Sequence, residues 1–181
     1  MSGNNGSMPT AVEFIRGETV ESIHGGVAVV VDHTGRIIAQ FGDADFVTFS
    51  RSSLKPLQAL AAVERGVIEH WGLHERHLAI MCGSHSGEEI HVTTAREILD
   101  RIGCTDADYQ CGVHVPTYFR LTNGNNPIPA RGDFTQLHNN CSGKHAGMLA
   151  FSRFLNADIG HYLELDHPVQ VAIRESIAQY S

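Results

Sequence analysis

The sequence predicts a mixed α/β chain of the α+β kind, an antiparallel β-hairpin followed by helices, and three observations carry that reading. Gly25-Gly26-Val27-Ala28-Val29-Val30-Val31 is short and β-branched, Asp32-His33-Thr34-Gly35 supplies turn residues, and Arg36-Ile37-Ile38-Ala39-Gln40-Phe41 returns as a second strand. Beyond Ser50 the apolar spacing becomes helical, clearest at Val92, Ala95, Ile98, Leu99 and Ile102, with Gly103 as the breaker. The composition, 42% hydrophobic and 18% charged over 181 residues, suits one buried core and no more than one domain.

Each element follows in order. Met1 to Pro9 is rich in Ser, Gly and Asn and lacks the basic region and apolar core of a secretory signal. Residues 1–11 are therefore expected to form a disordered leader, with the domain running over 12–181. After the hairpin, the strand-like Phe46-Val47-Thr48-Phe49 runs into Ser50-Arg51-Ser52-Ser53-Leu54-Lys55-Pro56. Serine caps helices and proline is tolerated in a first turn, so a helix is expected from this cluster through Leu57, Leu60, Ala61 and Val63 to Arg65-Gly66. His77 to Gly83 is an apolar, buried segment ending in the polar turn Ser84-His85-Ser86-Gly87-Glu88, where Ser84 or Ser86 would cap the next helix. Cys104 to Asn139 reads as loop, punctuated by Pro116, Asn123-Gly124-Asn125-Asn126-Pro127 and Pro129. Arg131-Gly132-Asp133 is a loop turn there, not an adhesion motif. A helix follows from Ser142 to Asn156. The last starts at Asp166-His167-Pro168 and carries Val169, Ile173 and Ile177 on one face. With no cap or strand after it, the chain reads as incomplete at its C-terminus, and that apolar face is expected to lie partly exposed.

Several function classes are disfavoured. A net charge of −7 and an isoelectric point near 5.9, with no basic stripe, argue against a nucleic-acid partner. No apolar run reaches the ~18 residues of a membrane-spanning helix. Cys82, Cys104, Cys111 and Cys141 show no paired spacing, so reduced thiols and a cytoplasmic location are expected.

Three constellations carry candidate chemistry. Ser52-Ser53-Leu54-Lys55 is an S-x-x-K tetrad at a helix start, where positions i and i+3 share a face. A serine hydroxyl becomes a nucleophile when a neighbouring base takes its proton, and a partly desolvated lysine can be that base. The alternative is a serine cap followed by a solvated lysine. Cys82-Gly83-Ser84-His85-Ser86-Gly87-Glu88 offers small residues that let substrate approach the backbone, with a serine to relay protons or bind a carboxylate; a plain helix start is the alternative. Asn139-Asn140-Cys141-Ser142-Gly143-Lys144-His145 sets a thiol and an imidazole four residues apart, a pattern shared by metal sites, Cys–His nucleophile pairs and ordinary buried cysteines.

In this order, Ser-Arg-Ser-Ser-Leu-Lys-Pro, Gly-Ser-His-Ser-Gly-Glu and Asn-Asn-Cys-Ser-Gly-Lys-His-Ala-Gly-Met resemble the signatures of the bacterial L-asparaginase II family, the serine-lysine type. The Gly-Gly hairpin and Asp166-His167-Pro168-Val169-Gln170 fit as well. The resemblance runs from about Val12 to the last residue. It implies a fold akin to serine β-lactamases and bacterial glutaminases, and hydrolysis of L-asparagine to aspartate and ammonia. Carried across, Ser52 is the nucleophile, Lys55 its base and Ser84 the second active-site serine. Arg51 and His145 help bind substrate, and Cys141 with Lys144 supplies two ligands of a zinc ion. Family members run to about twice this length. A further cysteine ligand, a substrate-holding aspartate and a second lysine are then expected outside this chain, which alone would be short of both zinc and turnover. Whether the protein forms a homo-oligomer is left open. The competing functions are a non-catalytic truncated paralogue that binds a small amino acid or a partner protein, and an S-x-x-K peptidase or β-lactam-binding protein, in which the Asn-Cys-Ser-Gly-Lys-His motif has no role.

Overall fold

The computed structural model describes residues 8–122 and 130–180, so the turn residues expected over 123–129 lie outside the described residues. Residues 1–49 and 50–181 form two compact units.

The first unit consists of two antiparallel hairpins. β1 (Thr10–Arg16) pairs with β2 (Thr19–Gly25), and β3 (Ala28–Val31) pairs with β4 (Ile37–Phe41). The second is the hairpin expected from sequence. Its turn is built by Asp32, whose Oδ1 accepts from the backbone N–H groups of Thr34 and Arg36 and from the Thr34 hydroxyl, while Gly35 takes φ +83°. The first hairpin corrects the boundary of the leader. β1 begins at Thr10, and its pairing with β2 starts at Thr10 opposite Gly25. Of the expected leader, residues 1–7 lie outside the described residues. All four strands are exposed along their whole length.

The second unit is helical: α1 (Lys55–Val63), α2 (Val67–His70), α3 (Glu75–Cys82), α4 (Glu89–Ile102), α5 (Thr117–Thr122), α6 (Ser142–Phe154) and α7 (Pro168–Tyr180). A 3-10 turn at Arg51–Leu54 leads into α1. The punctuation is as expected, since Gly66 after α1 and Gly103 after α4 both adopt the left-handed conformation a side chain resists. The cap of α4 differs: its N-cap is Glu88, and Ser86 donates to the Glu88 carboxylate instead of capping the helix.

α6 is the central element. From Ser142 to Ser152 only Lys144 escapes full burial, and α1, α3, α4 and α7 pack around the helix. Close approach depends on small residues. A Cβ added to Gly143 would stand 2.3 Å from the Ile80 carbonyl oxygen of α3, so only glycine admits that helix–helix distance. Leu149, Phe151, Ile98, Leu99 and Val67 fill the core, each contributing about 1.5–3 kcal/mol by burial.

One expectation is overturned in part. Val169 and Ile173 of α7 are buried, and α7 covers α1 within this chain, so two of the three stripe residues are not left uncovered, while Ile177 is partly exposed as expected. The sequence reading assigned that stripe to a missing partner, whereas the partner is the helix that follows the serine cluster.

Candidate functional site

The 3-10 turn, α1 and the loops before α4 and α6 converge on one cleft of about 330 Å³, lined by Arg51, Ser52, Lys55, Gln58, Cys141 and Lys144. Ser52 sits at the helix entrance. Arg51, directly before it, has φ +48°, a left-handed conformation that is costly for a side-chain-bearing residue and recurs where a local geometry is imposed by its surroundings.

Lys55 is only 2% exposed, yet it makes no ion pair among the described residues. Its ammonium donates instead to Ser84 Oγ at 2.8 Å, to the Gly83 carbonyl at 2.8 Å and to the Asn140 carbonyl at 3.4 Å, one acceptor for each proton. The Ser84 hydroxyl in turn donates to Ser52 Oγ at 3.0 Å. The i, i+3 spacing therefore does not bring Ser52 and Lys55 into direct contact: Ser84 bridges them. A hydroxyl can reverse its donor direction by rotation, so this chain of three groups can pass a proton either way.

The Asn-Asn-Cys-Ser-Gly-Lys-His segment can be read residue by residue. The buried Asn139 amide donates to the carbonyls of Cys111 and Gly112, and its Oδ1 accepts from the N–H of Cys141. Asn140 is held at its backbone N–H by His114 Nε2, and its carbonyl faces both Lys55 and the backbone N–H of His85. Cys141 is the N-cap residue of α6. Ser142 Oγ donates to the Leu137 carbonyl and accepts from His85 Nε2 at 2.8 Å, while His85 Nδ1 accepts from the N–H of Gly87. Gly143 permits the contact with α3 already described. Burial lowers the pKa of His85 to about 4, with His91, Lys55, His114 and His138 adding to the effect, so the ring is neutral at physiological pH and ties the Ser84 loop to α6.

His145 is buried, 6% exposed, and is not one of the cleft's lining residues. Its Nδ1 meets the hydroxyl of the fully buried Tyr162 at 2.8 Å, and that hydroxyl accepts from the N–H of Gln110. The tyrosine hydroxyl thus joins the imidazole to the Gln110 backbone. Burial, then Lys144 and Lys55, lowers the His145 pKa to about 3. Burial also lowers the pKa of Lys144, as does Lys55, while Cys141 and Cys111 oppose the shift.

Cys141 and Lys144 share the cleft wall, but as a zinc site they supply two donors, and the lysine binds metal only after losing its proton. Among the described residues no three His, Cys, Asp or Glu side chains are grouped to hold a metal ion. The donor set present does not fit a closed zinc site, and no chemical step is derived through one. All four cysteines carry free thiols. Among the described residues no helix is long and apolar enough to cross a membrane.

A family model for L-asparaginase II matches residues 12–181, nearly the whole chain. The chain belongs to the L-asparaginase II family. No curated protein matches it. Membership makes an amidohydrolase acting on a small molecule the class of this asparaginase-family chain. Sequence reasoning singled out Arg51, Ser52, Lys55, Ser84, Cys141, Lys144 and His145. The first six meet at or beside the cleft, and the seventh is buried outside its lining. It did not single out Gln58, Tyr162, His114 or the Asn140 carbonyl, none of which stands in a spacing that marks it.

Proposed function

We propose that the cleft hydrolyses L-asparagine to L-aspartate and ammonia through an acyl-enzyme on Ser52. The observation that carries this is the hydrogen-bonded chain Lys55–Ser84–Ser52, with an accessible serine at one end and a buried amine at the other. As the neutral amine, Lys55 takes the Ser84 proton while Ser84 takes that of Ser52, and Ser52 Oγ adds to the side-chain carbonyl of the substrate. The tetrahedral intermediate expels ammonia when Lys55 returns the proton through Ser84 directly to the leaving nitrogen, Ser52 Oγ now being bonded to the substrate carbon. Water then adds to the Ser52 ester by the same relay, giving aspartate and free serine. Arg51 and Lys144 supply positive charge for the substrate carboxylate in a cleft whose lining holds no acidic residue among the described residues. His145, which lies outside the cleft lining, helps to bind substrate as a neutral ring and not as a base, consistent with its burial and its bond to Tyr162. The enclosing fold is proposed to be of the serine β-lactamase and glutaminase type.

Ammonia release from L-asparagine, measured on the purified protein, tests the reading. Ser52→Ala is expected to lower it at least ~10³-fold with the fold retained. Near-normal release by that variant rejects Ser52 as nucleophile. One observation favours a second reading: the three acceptors around Lys55 suit a permanent ammonium, as in a protein that binds a small amino acid without cleaving it. Such a protein would bind L-asparagine and release no ammonia.

A further inference from the structure

Gln58 lies one helical turn beyond Lys55 on α1 and lines the same cleft as Ser52 and Lys144. Its Oε1 is sealed from solvent and has no hydrogen-bond partner among the described residues. The cause is local. Inward, the side chain borders a cavity of about 20 Å³ whose walls include Met81, Met148, Phe151 and Ile173, none of which can donate a hydrogen bond. Lys144 borders the same cavity without bonding to Gln58. A buried acceptor without a donor is destabilising, and folded proteins keep few of them. Methionine would fill the same space with no polar atom to satisfy. A carboxamide kept there, beside the serine–lysine chain, points to a donor that arrives with a ligand.

We propose that Gln58 is the residue that recognises the amide group of the substrate: its carboxamide turns so that Oε1 accepts from an N–H of an amino-acid amide. The assignment rests on the amidohydrolase reading and adds a direction to it. The acid product has no side-chain N–H to satisfy Oε1; the carboxamide can turn Nε2 toward its carboxylate, but Oε1 then stays unpaired, so the cleft favours amide over acid. Turning the side chain toward the ligand also removes the unpaired oxygen from its apolar surroundings, which couples binding to relief of that cost.

The test compares Gln58→Met with its parent in a Ser52→Ala background, where L-asparagine is not consumed. Two quantities are read: the unfolding midpoint of the free protein, and the affinities for L-asparagine and L-aspartate by calorimetry. The inference expects an unfolding midpoint equal to or above the parent's, about tenfold weaker L-asparagine binding and a clearly smaller loss for L-aspartate. A lowered midpoint would show the carboxamide to be satisfied inside the protein and would overturn the inference. So would unchanged L-asparagine affinity, or equal weakening of both ligands, which marks general damage to the cleft. If the Ser52→Ala parent binds neither ligand, the amidohydrolase reading fails first and this assignment fails with it.

Discussion

Replacing Gly143 by alanine adds one methyl group, and the structure sets what that methyl must displace. An ideal Cβ stands 2.3 Å from the Ile80 carbonyl oxygen, 2.7 Å from its carbonyl carbon and 2.8 Å from Ile80 Cγ1. Comfortable carbon–oxygen and carbon–carbon contacts lie near ~3.3–4 Å, so α6 and α3 must separate by roughly 1 Å. Two of the three obstructing atoms are backbone, which no rotamer change can move. Overpacking of this kind costs about 1–3 kcal/mol, with rigid contacts at the upper end, while alanine's better helix propensity returns about 1 kcal/mol. A net loss of about 2 kcal/mol corresponds to roughly 4–8 °C in unfolding midpoint for a chain of this size. The separation also draws Lys144 away from the cleft, so function should suffer with stability. Gly83→Ala is the control: that residue has φ −119°, and its nearest neighbour, the Ala79 carbonyl oxygen, would be at 3.8 Å. Thermal unfolding followed by circular dichroism reads both variants. If Gly143→Ala unfolds at or above the wild-type midpoint, the close α3–α6 approach is wrong.

The remaining predictions are independent of one another. His145 and His85 are lowered to about 3 and about 4 from an unfolded value of 6.5, so on acidification the unfolded chain takes up protons before the folded one. Stability is accordingly expected to fall as the pH drops below 6.5 toward those values, by about 2 kcal/mol per histidine at pH 5; urea titrations at pH 7 and pH 5 that give equal stability would contradict it. Because Cys141 and Lys144 offer only two donors, the purified 181-residue chain is expected to hold far less than one zinc ion per molecule, and elemental analysis showing a full equivalent would mean that donors have been overlooked.

What could be seen in the sequence was local. Asp32 and Gly35 mark the β3–β4 turn through their own side chain and backbone needs, and the α4 period with Gly103 defines both a face and an end. The α1 start was legible for the same reason, as was the candidacy of Ser52, Lys55 and Ser84 from short motifs. What stayed hidden depends on approach between distant segments. Ser84 lies 29 residues from Lys55 and 32 from Ser52, so its position between them has no local signature. His85 and Ser142 are 57 residues apart, and Tyr162 reaches His145 across a loop. The β1–β2 hairpin was missed because its strands bury no face that would impose strict alternation. The burial of α7 was missed because an apolar stripe shows that something covers it without showing what.

The central claim is that Ser52 is made nucleophilic by Lys55 acting through Ser84, and the most direct measurement is covalent labelling of this chain with p-nitrophenyl acetate. An activated ester needs little beyond the nucleophile and its base, and mass spectrometry of the digested protein locates the acetyl group. The account predicts a single acetylation at Ser52 that slows at least ~10²-fold in both Lys55→Met and Ser84→Ala. Labelling of Cys141 or Ser84 in place of Ser52, or an undiminished rate at Ser52 without Lys55, would contradict it.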